Sequence, residues 1–297
     1  GYFAQMIQKP YERPLTTLVF QGKKGTGKNT LVDRIGFLLK DHYKVAADSR
    51  YLTSNFNGHL DNCLMLVLDE AFWSGDKSAE GKLKGLTTSP RIMIERKGKE
   101  PYMVDNFARL VVIGNEDWLV PATADERRYA VFQVGEGKMQ DNHYFREMVA
   151  NMDVNGGCRV LLDYLQKFDL SKVDVNAAPN TEGLRTQKIE ALSPFEGWWF
   201  DCLSKGFITG GEWETAVDKA HVLDAFAQYC RARSIGGWIY DNRKIGRDLR
   251  KFHPSVNTNW NLRTGDKLPQ AYKLPDLETA RAEWATYLGF EIDWSKQ

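Results

Sequence analysis

Between Leu15 and Val134 the chain sets short apolar runs against longer stretches of helical spacing. Leu15 to Phe20, Leu64 to Leu68, Leu110 to Ile113 and Tyr129 to Val134 lack clean alternation, which predicts strands of a parallel sheet buried on both faces. Leu31 to Lys40, after the first run, predicts a covering helix. Ile92 to Ile94 and Tyr102 to Val104 flank a tight Lys97-Gly98-Lys99 turn and predict a hairpin. From Asn142 to Phe168 the spacing is helical, whereas Asp169 to Gly183 holds Asp, Asn, Ser, Pro and Gly and predicts a linker. Beyond it, Ser193 before Pro194 predicts a helix start. Val222, Ala225, Phe226 and Tyr229 share one helix face, and Ile245, Leu249 and Phe252 another. Asn259 to Tyr272, containing Gly265-Asp266, predicts a β-wing. The expected organisation is an α/β domain over 1–168, a linker over 169–183 and a smaller, mainly helical domain over 184–297.

Composition narrows this only slightly. The 297 residues are 42% hydrophobic and 27% charged, which excludes a disordered, collagenous or small disulfide-built chain. Lys and Arg number 40 against 39 Asp and Glu, so the net charge carries no information about nucleic acid and local charge must be read instead. No apolar run approaches the roughly 20 residues of a membrane span, and no secretory signal is visible. Gly1 opens the chain without a methionine, which reads as a piece of a longer protein. Four scattered cysteines and five scattered histidines suggest neither a zinc site nor disulfides, and fit a reducing cytoplasm.

The chemistry begins at Gly22-Lys23-Lys24-Gly25-Thr26-Gly27-Lys28-Asn29-Thr30, which follows the first apolar run and precedes the predicted helix. Glycines let backbone N–H groups converge on phosphate oxygens, the helix offers its positive end, and a lysine reaches the terminal phosphates. These residue types in this order predict a phosphate-binding loop made of Gly22, Gly25, Thr26, Gly27, Lys28, Asn29 and Thr30; a glycine-rich surface turn is the plainer alternative. Asn29 stands where such loops carry a magnesium-binding Ser or Thr. Its amide oxygen is the expected metal ligand, since Thr30 is rotated by about 100° along the helix.

Two further strand ends complete the set. Leu64 to Leu68 ends in Asp69-Glu70, placing one carboxylate for Mg2+ and one to orient and deprotonate a water. Leu110 to Ile113 ends in Gly114-Asn115, where the Asn115 amide suits a terminal phosphate or the attacking water. Arg127 and Arg128 precede the last predicted strand; either is a candidate arginine finger acting on a neighbouring subunit's nucleotide, or a solvated pair. Arg96, Lys97 and Lys99 make the hairpin basic and are candidates for gripping a DNA backbone, unless they are ordinary surface charges. Between Arg231 and Lys251 seven basic residues face two aspartates, and Arg247 and Arg250 are further DNA candidates. Seven of the nine tryptophans lie from Trp198 onward and read mainly as core, with base stacking as the alternative.

The Gly22–Thr30 loop, Leu66–Glu70, the basic hairpin and Ile113-Gly114-Asn115, in that order, resemble superfamily 3 helicases, AAA+ motors of viruses, phages and mobile elements, and within them the phage and poxvirus primase-helicase branch. The resemblance covers about residues 10 to 150. It implies ATP and Mg2+ as cofactors, with Lys28 on phosphate, Asp69 and Glu70 serving metal and catalysis, and Asn115 as sensor. It also implies hairpin lysines tracking single-stranded or forked DNA, Arg128 rather than Arg127 as finger, and a winged-helix-like C-terminal module. A ring, expected to be hexameric, and an upstream primase or origin-binding domain are further implications. With fourteen residues before the first predicted strand, no primase activity is expected here. The expected function is an ATP-driven DNA helicase motor in phage or mobile-element replication. The alternatives are an AAA+ ATPase that remodels or packages nucleic acid without unwinding it, and an initiator whose nucleotide only controls assembly.

Overall fold

A computed structural model describes residues 1–48, 51, 54, 56–70, 77–124, 126–236, 240–262 and 269–296. By contacts the chain divides into two compact units, residues 1–122 with 126–190, and residues 191–297 with 123–125. No helix among the described residues is long and apolar enough to cross a membrane.

The first unit is α/β, built on a five-stranded parallel sheet. Its strands are β1 (Thr17–Gln21), β2 (Tyr43–Ala46), β3 (Met65–Asp69), β6 (Arg109–Gly114) and β7 (Tyr129–Gln133), in the order β2-β3-β6-β1-β7. Strands β4 (Arg91–Ile94) and β5 (Tyr102–Asp105) form the expected hairpin apart from this sheet. The apolar runs do not alternate because both faces are covered. Val19, Leu66, Leu68, Leu110 and Val112 pack on one side with Leu83. Leu18, Met65, Val67, Val111 and Ile113 pack on the other with Val32 and Ile35. Each such side chain contributes roughly 1.5–3 kcal/mol by leaving water.

Helices α1 (Tyr2–Gln8), α2 (Lys28–Phe37), α3 (Lys77–Thr88), α4 (Asn142–Asp153), α5 (Gly157–Lys167) and α6 (Glu182–Glu190) complete this unit. Several elements differ from expectation. The first strand starts at Thr17 and not at Leu15, which is 49% exposed. Asn142 to Phe168 is two helices, broken where Gly156 takes φ +83°. The expected linker is fastened to this unit: Thr16 Oγ1 donates to the Val175 carbonyl at 2.6 Å, and Thr181 Oγ1 donates to the Val131 carbonyl. Gln187 Oε1 then accepts from the Leu119 and Val120 N–H groups at 2.6 and 3.1 Å, so α6 stays with the sheet and the division falls after Glu190.

Arg109, the first residue of β6, is buried. Its guanidinium donates to Gln5 Oε1 at 3.0 Å and to the carbonyls of Lys9, Phe107, Pro10 and Glu12, anchoring the N-terminal segment to the sheet. Burial lowers its pKa to about 10.

The second unit carries α7 (Pro194–Lys205), β8 (Ala216–Asp218), α8 (Lys219–Ala232), α9 (Asn242–Phe252), β9 (Asn257–Asn261), β10 (Gln270–Lys273) and α10 (Leu277–Leu288). The strands form an antiparallel sheet in the order β8-β10-β9, so this unit is helical with a small sheet. The segment expected as a β-wing holds the antiparallel pair β9 and β10, and its Gly265-Asp266 lies outside the described residues. Ser193 and Glu196 close a capping box on α7, with Ser193 N–H donating to Glu196 Oε2 at 2.8 Å. Trp198, Trp199 and Trp284 are core, as the sequence suggests, whereas Trp260 on β9 is 38% exposed.

One buried relay organises this core. Trp199 Nε1–H donates to His253 Nε2 at 2.6 Å, and His253 Nδ1 lies 3.1 Å from Glu283 Oε2. Burial pushes the His253 pKa down to about 4, against the opposing pull of Glu283. The unfolded chain therefore binds a proton that the folded one refuses between pH 6.5 and about 4. Stability from this site is complete above pH 6.5 and falls as pH drops through that window. Urea titrations of the wild type and His253→Asn should diverge most at neutral pH and converge toward pH 4; a constant gap would refute the assignment.

Candidate functional site

The carboxyl ends of three adjacent strands build the site. In β3–β6 pairing Asp69 lies opposite Ile113, and in β1–β6 pairing Phe20 does. Just past this row the strands run out, and the chain leaves the sheet at Gly22, Glu70 and Asn115, at the sheet edge where open α/β folds bind ligands. The parallel register thus brings together residues remote in sequence.

The loop that follows β1 curls through glycines with positive φ, +81° at Gly25 and +86° at Gly27, the residue that caps α2. A Cβ on Gly27 would lie 2.3 Å from the Phe145 ring, so this position excludes a side chain twice over. Lys28 opens α2 and is 5% exposed. Its ammonium donates to the carbonyls of Gly22 and Lys23, the latter at 2.8 Å, and to Asn115 Oδ1 at 3.2 Å. Burial lowers its pKa, with the Glu70 and Asp69 carboxylates pulling the other way.

Asn115 Nδ2 in turn donates to Glu70 Oε1, so its amide links the lysine to the second carboxylate. Glu70 sits at φ +48°, a left-handed backbone unusual for a side-chain-bearing residue, and its N–H donates to the Ile113 carbonyl at 3.0 Å. Asn29 Nδ2 donates to Asp69 Oδ2 at 2.6 Å. Burial raises the Asp69 pKa, and this hydrogen bond opposes the rise. Lys24 to Thr30, Glu70 and Asn115 line a cavity of about 230 Å³.

The remaining predicted residues lie elsewhere. Arg127 and Arg128 precede β7, and Arg128 O accepts from the Thr17 N–H at the amino end of β1. Five residues of strand rise separate that end from Gly22, about 17 Å. Neither arginine reaches the loop of its own chain. Arg128 is held by the buried Glu126 carboxylate, 2.7 Å from Nε, whereas Arg127 is exposed. In the hairpin, Lys97 and Lys99 are exposed around Gly98 at φ +75°, but Arg96 is turned onto Asp61, whose carboxylate also accepts from Tyr102 at 2.6 Å. On α9, Arg247 is exposed, and Arg250 donates to Thr258 Oγ1 on β9 at 2.5 Å. Sequence reading missed Phe145 and Gln140, which close over Gly27 and Gly25 from beyond the last strand. The only sequence signal for them is the glycines' own need for cover.

Residues 20–128 match the family of unknown function DUF5906. A DNA primase-polymerase of Nitratiruptor phage NrS-1 is 24% identical over 220 residues, 68% of this chain. The chain is a relative of that phage protein. It spans 31% of the relative's length. Two apo structures of the NrS-1 C-terminal region superpose with TM-scores of 0.65 and 0.66 at 20% identity. Each comparison covers 92% of this chain and 70% of the other, so the fold is shared across both units.

Gly27→Ala should destabilise the first unit by roughly 1–2 kcal/mol from the left-handed backbone alone, with a further loss from the clash. In urea titrations, Phe145→Ala in the same chain should restore the steric part and leave the backbone part. Full restoration would mean the φ of Gly27 carries no strain.

Proposed function

We propose that this chain is the ATP-hydrolysing motor part of a phage replication protein, a superfamily 3, AAA+ type helicase that moves along DNA. The observation that carries this reading is the convergence of Lys28, Glu70 and Asn115 on one glycine-lined cavity, with the Asn29–Asp69 pair beside it. The relationship to a phage DNA primase-polymerase supports replication as the setting, and a primase-type domain elsewhere in the full-length protein.

The phosphates lie in the loop against the backbone N–H groups and the positive end of α2. Lys28 exchanges its carbonyl contacts for the terminal phosphate, and Asn115 follows that phosphate and reports it to Glu70. Glu70 orients the attacking water and takes its proton. Asp69 and the Asn29 amide oxygen, once the amide turns over, are hard oxygen donors of the class Mg2+ prefers. When bound, the ion neutralises phosphate charge. Because Arg127 and Arg128 lie far from their own loop, an arginine finger comes from a neighbouring subunit in a ring, taken as a hexamer. Arg127 is the better placed, as Arg128 is occupied by Glu126.

The exposed Lys97 and Lys99 tips contact the DNA backbone. In the second unit, the order helix, strand, two helices, two strands supports a winged-helix module. Its α9 presents Arg243 and Arg247 opposite the buried Ile245, Leu249 and Phe252.

ATP hydrolysis with and without single-stranded DNA tests this. Lys28→Ala should abolish hydrolysis, and Glu70→Gln should lower it at least a hundredfold while retaining nucleotide. Lys97→Ala with Lys99→Ala should remove the DNA stimulation and spare the basal rate; intact stimulation would remove the helicase reading. Asn29→Ala should raise the magnesium concentration needed for half-maximal rate, and an unchanged requirement would defeat Asn29 as ligand.

A further inference from the structure

The turn that follows β6 is gripped from two sides. After Asn115 the chain runs through Glu116 and Asp117, both exposed, and folds back so closely that a Cβ on Gly114 would lie 2.2 Å from the Leu119 side chain. Two glutamines hold this short arc. Gln21, the last residue of β1, donates from Nε2 to the carbonyls of Glu116 and Asp117, each at 3.1 Å. Gln187, in the last turn of α6, donates from Nε2 to the same Asp117 carbonyl and accepts the Leu119 and Val120 N–H groups on Oε1. The Asp117 oxygen therefore takes one N–H from each glutamine, and both of its lone pairs are used.

Stability alone does not account for this pair. Gln187 is fully buried and Gln21 is 7% exposed, yet Gln21 Oε1 has no hydrogen-bond partner among the described residues. A buried acceptor left unpaired destabilises the fold, and an apolar side chain of the same length would avoid it. What the pair does fix is the backbone on the carboxyl side of Asn115. On the amino side, Gly114 is still in β6 and its carbonyl accepts from the Gly22 N–H at 3.2 Å. Asn115 thus lies between anchors at Gly114 and at Glu116, and its amide meets Lys28 with one end and Glu70 with the other. Such a two-sided contact is lost when the backbone beneath it shifts by a fraction of an ångström, because hydrogen bonds tolerate little stretching. Helix α6 is itself firmly mounted: a Cβ on Gly183 would lie 2.9 Å from Val131 of β7, and Leu184 is in the core.

We propose that Gln21 and Gln187 are positioning residues for hydrolysis, which clamp the turn after β6 so that the Asn115 amide stays between the Lys28 ammonium and the Glu70 carboxylate. The proposal rests on the phosphate-loop reading above. Both glutamines act through Asn115, and neither is among the residues that line the loop cavity.

ATP hydrolysis at saturating nucleotide, ATP binding by calorimetry and urea unfolding, all on the full chain, test the clamp. Gln21→Met should lower kcat about tenfold and leave the Kd for ATP within twofold. Its urea midpoint should stay the same or rise, because the unpaired acceptor is gone. Gln187→Met should lower kcat at least as much, with a lower midpoint, since the Leu119 and Val120 N–H groups lose their partner. In an Asn115→Ala background, with rates read from single turnovers, either glutamine variant should change the rate by less than twofold. Unchanged kcat in both variants overturns the clamp, as does a rise in Kd that matches the fall in kcat, or a loss that multiplies with that of Asn115→Ala. Lys28→Ala distinguishes this from the reading beneath it. If Lys28→Ala hydrolyses ATP at the wild-type rate, the loop reading falls; if it is inactive while both glutamine variants keep full activity, only the clamp falls.

Discussion

The parallel pairing of β3, β6 and β1 is the constraint on which the rest depends. Val112 lies opposite Leu68 on one side and Val19 on the other, and this shared row fixes where all three strands run out. A slip of one residue would move Glu70 or Gly22 by about 3.3 Å relative to Asn115 and turn every side chain of that strand to the other face. The two apolar clusters forbid the slip, because it would exchange Leu66 and Leu68 with Met65 and Val67 between layers already filled. Core packing therefore sets the positions of groups that are themselves outside the core.

That arrangement also explains how a buried ammonium is tolerated. Lys28 leaves water, which costs several kcal/mol for an isolated ion. Here it meets two loop carbonyls and the Asn115 oxygen, with the carboxylates of Glu70 and Asp69 acting at longer range. Those contacts resemble the oxygen cage that a phosphate would provide, so on the proposed reading binding would exchange oxygen partners rather than uncover a bare charge. Glu70 contributes in a second way, since its left-handed backbone turns the chain sharply off β3 and keeps the carboxylate at the Asn115 amide.

Much of this was legible in the chain because continuous apolar runs announce two-sided burial, and glycine spacing announces a loop that needs positive φ. The four core runs and the hairpin lie close to where periodicity puts them. What escaped was weakly patterned or depended on distant partners. Strand β2 is only Tyr43–Ala46, an edge strand with Val45 46% exposed, too short and too polar to stand out. Helix α3, with Gly81, Gly85 and few apolar residues, has little helical signal of its own, yet Leu83 is fully buried. The segment 169–183 has a linker's composition but is fastened by hydrogen bonds to Thr16 and Val131, contacts that local composition does not encode. Arg96 reads as a hairpin charge because sequence shows its neighbours and not Asp61, thirty-five residues earlier.

The same sheet geometry decides what each chain can do alone. Lys28, Glu70 and Asn115 follow the carboxyl ends of strands, whereas Arg127 and Arg128 come from the amino end, about 17 Å away. Glu126, buried, accepts from the backbone N–H groups of both arginines and holds the Arg128 side chain just before β7. The exposed Arg127 therefore stands on the edge remote from the Gly22–Thr30 loop of its own chain. If the loop holds the phosphates of ATP as proposed, a finger arginine has to come from a second copy placed head to tail. On that reading catalysis and assembly would be coupled through geometry, because the strand polarity that gathers one half of the site on a subunit leaves the other half to its neighbour.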